Sequence, residues 1–89
     1  MDLKDARVRI DQLDRQILDL LQQRMHVVED VARYKQERGL PVLDASREKE
    51  KLEELAAMSE EGMAEYVKIV YNTIMKVSRD YQRELIGEE

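Results

Sequence analysis

The chain has 89 residues, 20 acidic and 15 basic, for a formal net charge of -5, with one His, no Cys, no Phe and no Trp. One small domain over residues 1–89 is expected, near the lower limit at which a single core is self-sufficient. The acidic balance argues against general nucleic-acid binding, the lack of Cys removes disulfides and thiolate chemistry, and a lone His26 excludes a multi-histidine metal centre.

Helix formers dominate, strand-like alternation is absent, and three Gly and one Pro punctuate the chain. The first element starts after Asp2, a ready N-cap, and runs without Gly or Pro from Leu3 to Arg38. Gly39 suits the left-handed position after a helix, and Pro41 prevents its continuation. Asp44 is the next N-cap and predicts a shorter helix to about Met58. Ser59-Glu60-Glu61-Gly62 reads as a turn, and a third helix follows from about Met63 to Leu85. The expected fold is all-α, with three helices in the order long, short, long. No uncharged run approaches a membrane span, and Met1-Asp2-Leu3-Lys4-Asp5 is unlike a signal peptide. A soluble, cytoplasmic domain without nucleic-acid or membrane partners is therefore the expectation.

The first helix is too long for its own chain. About 35 residues at about 1.5 Å each reach ~50 Å, whereas a compact monomer of this size has a radius of gyration of ~12 Å. Its apolar residues nonetheless continue along one seam: Ile10, Leu13, Ile17, Leu20, Val27, Val31 and Tyr34, flanked by Leu18, Leu21, Met25 and Val28. Leaving them in water would forgo ~1.5–3 kcal/mol per large side chain. A second copy of the chain covers them most simply, so an intertwined homodimer is expected.

Charge interrupts the seam. Positions 10, 17, 24 and 31 are heptad equivalents, and position 24 is Arg. A guanidinium between Leu20 and Val27 is costly unless an anion meets it. Lys35, eleven residues on, falls within about 20° of the same face. Arg7 is rotated by about 100° from Arg24, so it can reach such a groove only in the partner subunit. On the second helix Glu48 shares a stripe with Leu52, Leu55 and Ala56, with Arg47 beside it. On the third, Ser78 and Gln82 stand one turn apart at the edge of a stripe from Val67 to Leu85. Cations outnumber the carboxylate, and no Ser-His-Asp set or Glu-x-x-His pair is present. Such a groove suits an anion and charge stabilisation without a nucleophile or metal.

The elements Arg7-x-x-Ile10-x-x-Leu13-Asp14, Leu20-Leu21-x-x-Arg24, Val31-x-x-Tyr34-Lys35, Pro41-Val42-x-Asp44-x-x-Arg47-Glu48 and Ser78-x-x-x-Gln82 together resemble the all-α chorismate mutases. These are intertwined helical homodimers with sites shared between subunits, which convert chorismate to prephenate without a cofactor. The resemblance implies that Arg24 and the second subunit's Arg7 grip substrate carboxylates, supported by Arg47 and Ser78. It also implies that Lys35 and Gln82 donate to the ether oxygen, that Glu48 accepts from the ring hydroxyl, and that Asp44 caps the helix beside the site. Catalytic work falls to Lys35, Gln82, Arg24 and Glu48.

Two departures from the family pattern stand out. The Ser59–Gly62 connection is somewhat short, and Leu43 stands where some relatives carry a basic residue. Gln82 is a neutral amide where some relatives carry Glu, so turnover should not require acid pH. Taken singly, each residue also has an ordinary reading. Arg24 suits a structural ion pair, Lys35 and Arg7 solvated surface charge, Asp44 a cap, Arg47 and Glu48 first-turn charges, and Ser78 and Gln82 polar packing at a helix edge. His26 falls on the outer face and takes no role, and the four tyrosines are expected to pack the core and dimer seam with hydroxyls toward water. Two other functions compete with the mutase. One is a lyase releasing pyruvate from isochorismate, in which an Arg47-Glu48 pair is not expected. The other is a non-enzymatic helical dimerisation module, which would gain from apolar residues at positions 24 and 35.

Overall fold

A computed structural model describes residues 2–87. It contains three helices, α1 (Leu3–Arg38), α2 (Ala45–Met58) and α3 (Ala64–Leu85), and no strand among the described residues. The helix ends follow from local chemistry. Asp2 accepts from the Asp5 backbone N–H at 2.8 Å and opens α1. Gly39, with φ +64°, closes it, while the Leu40 N–H returns to the Lys35 carbonyl at 2.9 Å. Asp44 accepts from the Arg47 N–H at 3.1 Å and opens α2. The third helix begins at Ala64, in line with the expected start near Met63, which stands at the N-cap without a side-chain hydrogen bond.

α3 packs on both α1 and α2, whereas α1 and α2 do not pack on one another. The result is a hooked shape measuring 53 × 25 × 18 Å, with a radius of gyration of 16.1 Å. That exceeds the ~12 Å of a compact chain of this length, because α1 overhangs. The core is slight: Val28 and Ala32 of α1, Val42 of the connection and Met75 of α3 are its buried apolar residues among those described.

Much of the long seam of α1 is left uncovered by its own chain. Ile10 is 53% exposed, Leu20 62% and Val27 60%. The face that α1 turns to α3 is the neighbouring one, carrying Val28 and Ala32. One helix thus carries two apolar faces, and its own chain covers only the second. On α3, Tyr66, Ile69 and Val70 are exposed as well.

Tyrosine packing also departs from expectation. Instead of reaching water, the Tyr81 hydroxyl donates to Glu29 Oε1 at 2.7 Å and ties α3 to α1. Tyr34 lies under the Arg38 guanidinium, 3.7 Å from the ring centroid. Among the described residues, no helix is long and apolar enough to cross a membrane.

Candidate active site

Between the three helices lies a cleft of about 340 Å³. Its walls follow from helical spacing. On α1, Arg24, Val28, Val31 and Lys35 recur at intervals of four, three and four, and on α3 so do Tyr71, Met75, Ser78 and Gln82. Each set is therefore one stripe along a helix. The start of α2 closes the third side with Asp44, Arg47, Glu48 and Lys51. Val42, buried in the connection, and Arg79 complete the lining.

Seven of the eight residues singled out in the sequence share this cleft: Arg24, Lys35, Asp44, Arg47, Glu48, Ser78 and Gln82. Arg7 does not. It lies exposed on the overhanging part of α1, seventeen residues or about 25 Å of helix from Arg24. Ser78 and Gln82 are not at an edge, as their stripe implies, but buried at 9% and 6% exposure. The reason is that α3 is covered from two sides, by α1 and by α2.

The charges are arranged for an anion. Five cationic side chains line the cleft against two carboxylates. Among the described residues, neither Arg24 nor Lys35 forms an ion pair. Each is instead held by a neutral acceptor. Arg24 Nη1 donates to Ser78 Oγ, and Lys35 Nζ donates to the Val42 carbonyl at 2.7 Å. These bonds orient the two cations and leave their charge uncompensated. The Lys35 bond also ties the Gly39–Leu43 connection to α1, two residues before Asp44 caps α2. Asp44 itself is occupied as the cap of α2.

Gln82 lines the same cleft and is itself buried. Its Oε1 is buried without a hydrogen-bond partner among the described residues. An unmet buried polar atom costs about 1–3 kcal/mol.

The sequence reading missed two charged members of the lining. Lys51 stands one turn beyond Arg47 and lies 3.4 Å from Glu54. Arg79 directly follows Ser78 and donates to Glu48 Oε1, so the carboxylate already has an intramolecular partner. The i, i+4 spacing from Arg47 was the available signal for Lys51; for Arg79 there was none beyond adjacency. A wider, shallower groove of about 460 Å³ lies on the far side of the Glu48–Arg79 pair. Its cations are the exposed Lys49 and the paired Lys68 and Arg79, so the narrower cleft, with the half-buried and unpaired Arg24 and Lys35, is the candidate. Among the described residues, no group of three His, Cys, Asp or Glu side chains is placed to hold a metal.

Comparison with known proteins points the same way. The family described as chorismate mutase type II matches over residues 6–83. The chain is 33% identical over 88 residues, 98% of its length, to the T-protein of Haemophilus influenzae, spanning 22% of that protein. It is 40% identical over 47 residues, 53% of its length, to the chorismate mutase of Methanocaldococcus jannaschii, spanning 48% of it. The chain thus matches less than half the length of either relative. No solved structure matches it.

Proposed function

The chain belongs to the chorismate mutase type II family, and from that premise we propose that its cleft rearranges chorismate to prephenate. The observation that carries the reading is the pair of unneutralised cations, Arg24 and Lys35, lining one partly apolar cleft together with Ser78 and Gln82. A small dicarboxylate with an ether oxygen is complementary to that set.

In this reading Arg24 binds a substrate carboxylate, with Ser78 fixing the guanidinium and Arg47 reinforcing the field. Lys35 through Nζ and Gln82 through Nε2 donate to the ether oxygen. Glu48 accepts from the ring hydroxyl through the carboxylate oxygen that Arg79 does not use, and Asp44 holds the start of α2 in place. The reaction is a [3,3] rearrangement: the ether C–O bond breaks, a C–C bond forms, and no atom is gained or lost. C–O cleavage runs ahead, so negative charge builds on the ether oxygen. An ammonium and an amide donating there stabilise the transition state more than the ground state. The narrow cleft also selects the folded conformer in which the two reacting termini meet.

The working form in this proposal is a cytoplasmic homodimer. The exposed seam from Ile10 to Tyr34 supports it, since a second copy laid along α1 would cover that surface. The same packing would carry Arg7 of each subunit to the open end of the other's cleft, where it supplies a further carboxylate contact.

The test is incubation with chorismate and isochorismate in parallel. Prephenate from chorismate supports the proposal. Pyruvate with salicylate from isochorismate, and no prephenate, replaces it with the lyase, and inertness toward both leaves the dimerisation module.

A further inference from the structure

Glu48 on α2 is bound by a residue with no role in the chemistry above. Arg79 of α3 donates from Nη1 to Glu48 Oε1, bridging the two helices across 31 residues of sequence. Both side chains are largely sheltered, at 22% exposure for Arg79 and 25% for Glu48. By contrast, the pairs on the helix surfaces, such as Lys76 with Asp80 and Lys68 with Glu65, are more exposed and join residues three or four apart.

The surroundings give this contact a consequence. Glu48 lines the same cleft as Arg24, Lys35, Arg47 and Lys51. A carboxylate free to turn there would be drawn to those cations and would neutralise charge that a dianionic ligand needs. With Oε1 held by Arg79, the carboxylate is kept on the α3 side of the cleft, and Oε2 stays available to accept a hydroxyl. The wall residue thereby leaves the anion-binding charges uncancelled.

We propose that Arg79 is a positioning residue, which restrains Glu48 from collapsing onto the cleft's cations and presents its second oxygen to the ligand. The inference rests on reading the cleft as a chorismate site. Its effect is on ligand binding, through Glu48, and not through direct contact with substrate.

The experiment is a cycle of Arg79→Ala, Glu48→Gln and the double variant, with Arg79→Lys alongside. KM and kcat for chorismate are measured well below each variant's melting temperature. The expected result is a KM for Arg79→Ala raised about tenfold or more, with kcat changed far less. In the Glu48→Gln background the same substitution should change KM by no more than about twofold, because no carboxylate remains to be restrained. Arg79→Lys should recover most of the loss. An unchanged KM with only a lowered melting temperature would make the pair structural and overturn the inference. An equal KM rise with and without Glu48 would overturn it too, by making Arg79 a direct ligand contact. Wild-type protein inert toward chorismate defeats the parent reading together with this one, whereas an active wild type with an unaltered Arg79→Ala defeats this one alone.

Discussion

Arg24 on α1 and Ser78 on α3, fifty-four residues apart, are joined by a hydrogen bond from the guanidinium to the hydroxyl, and Ser78 in turn donates to the Ile74 carbonyl at 2.8 Å. Since the acceptor is neutral, the cation is fixed in direction but keeps its charge. A carboxylate in the place of Ser78 would have quenched it. The same logic holds at the other end of the stripe, where Lys35 is steered by a backbone carbonyl. Both cations are pre-aimed, which is the condition under which such groups lower a barrier without reorganising during the reaction.

Lys35→Ala should cost about 3–4 kcal/mol of transition-state stabilisation, as for loss of one preorganised donor. Because Lys35 also anchors Val42, the melting temperature must be followed alongside kcat/KM, so that loosening of the connection is separated from loss of the donor. A decline of tenfold or less, in a folded protein, removes Lys35 from the ether-oxygen role.

Gln82 predicts the pH profile. A neutral amide does not titrate, so kcat should stay level through neutrality and into mild acid. Gln82→Glu puts a carboxyl where 6% of the residue is exposed. Burial raises the pKa of such a group, and only its protonated form donates. Activity of that variant should therefore climb as pH falls. A wild-type rate that itself rises steeply below neutrality contradicts the assigned role.

The helix boundaries were legible because their causes are local. Asp2, Gly39 and Asp44 act within a turn of where they stand, and α1 and α2 start and stop as those residues imply. Arg24 and Lys35 were legible for a different reason, since charge on an apolar stripe is conspicuous without coordinates. Arg79 was not. An Arg between Ser78 and Asp80 on a helix looks like solvated surface, and its burial depends on where α2 docks against α3, which no short-range pattern encodes. The two faces of α1 were also inseparable by period alone. Spacing identifies residues that avoid water, but not whether their cover comes from the same chain or another.

Tyr81 provides a test of the α1–α3 contact. Its hydroxyl pKa is raised above the usual 10.0, first by the hydrogen bond it donates to the Glu29 carboxylate, then by burial and by the negative charges of Glu29 and Glu84. A group whose pKa is higher in the folded state contributes stability that is complete below the unfolded value and disappears as pH rises through the folded one. Tyr81→Phe should thus be less stable than wild type at neutral pH, with the difference shrinking above about pH 10. Denaturant titrations across that range check it. A difference that persists undiminished in alkali would show that the hydroxyl is not the source.

Arg7 can be tested by complementation. On the proposed dimer, Arg7→Ala should impair turnover without unfolding the protein. A hybrid of one Arg7→Ala chain and one Arg24→Ala chain concentrates both defects in one cleft and leaves the other intact, so roughly half the activity should return. Hybrids as inactive as the parents would rule out a cleft shared between subunits.

The most direct measurement is the melting temperature of wild type, Arg24→Ala and Lys35→Ala as a non-reactive cyclic dicarboxylate is titrated in. Binding to the folded state alone stabilises it by about 2.7 kcal/mol at a hundredfold excess over Kd. The wild-type transition should therefore move steadily upward, while the two variants respond weakly or not at all. A wild-type transition that stays put at saturating dicarboxylate, or one that moves equally in all three proteins, would mean that these cations are not there to receive a dianion.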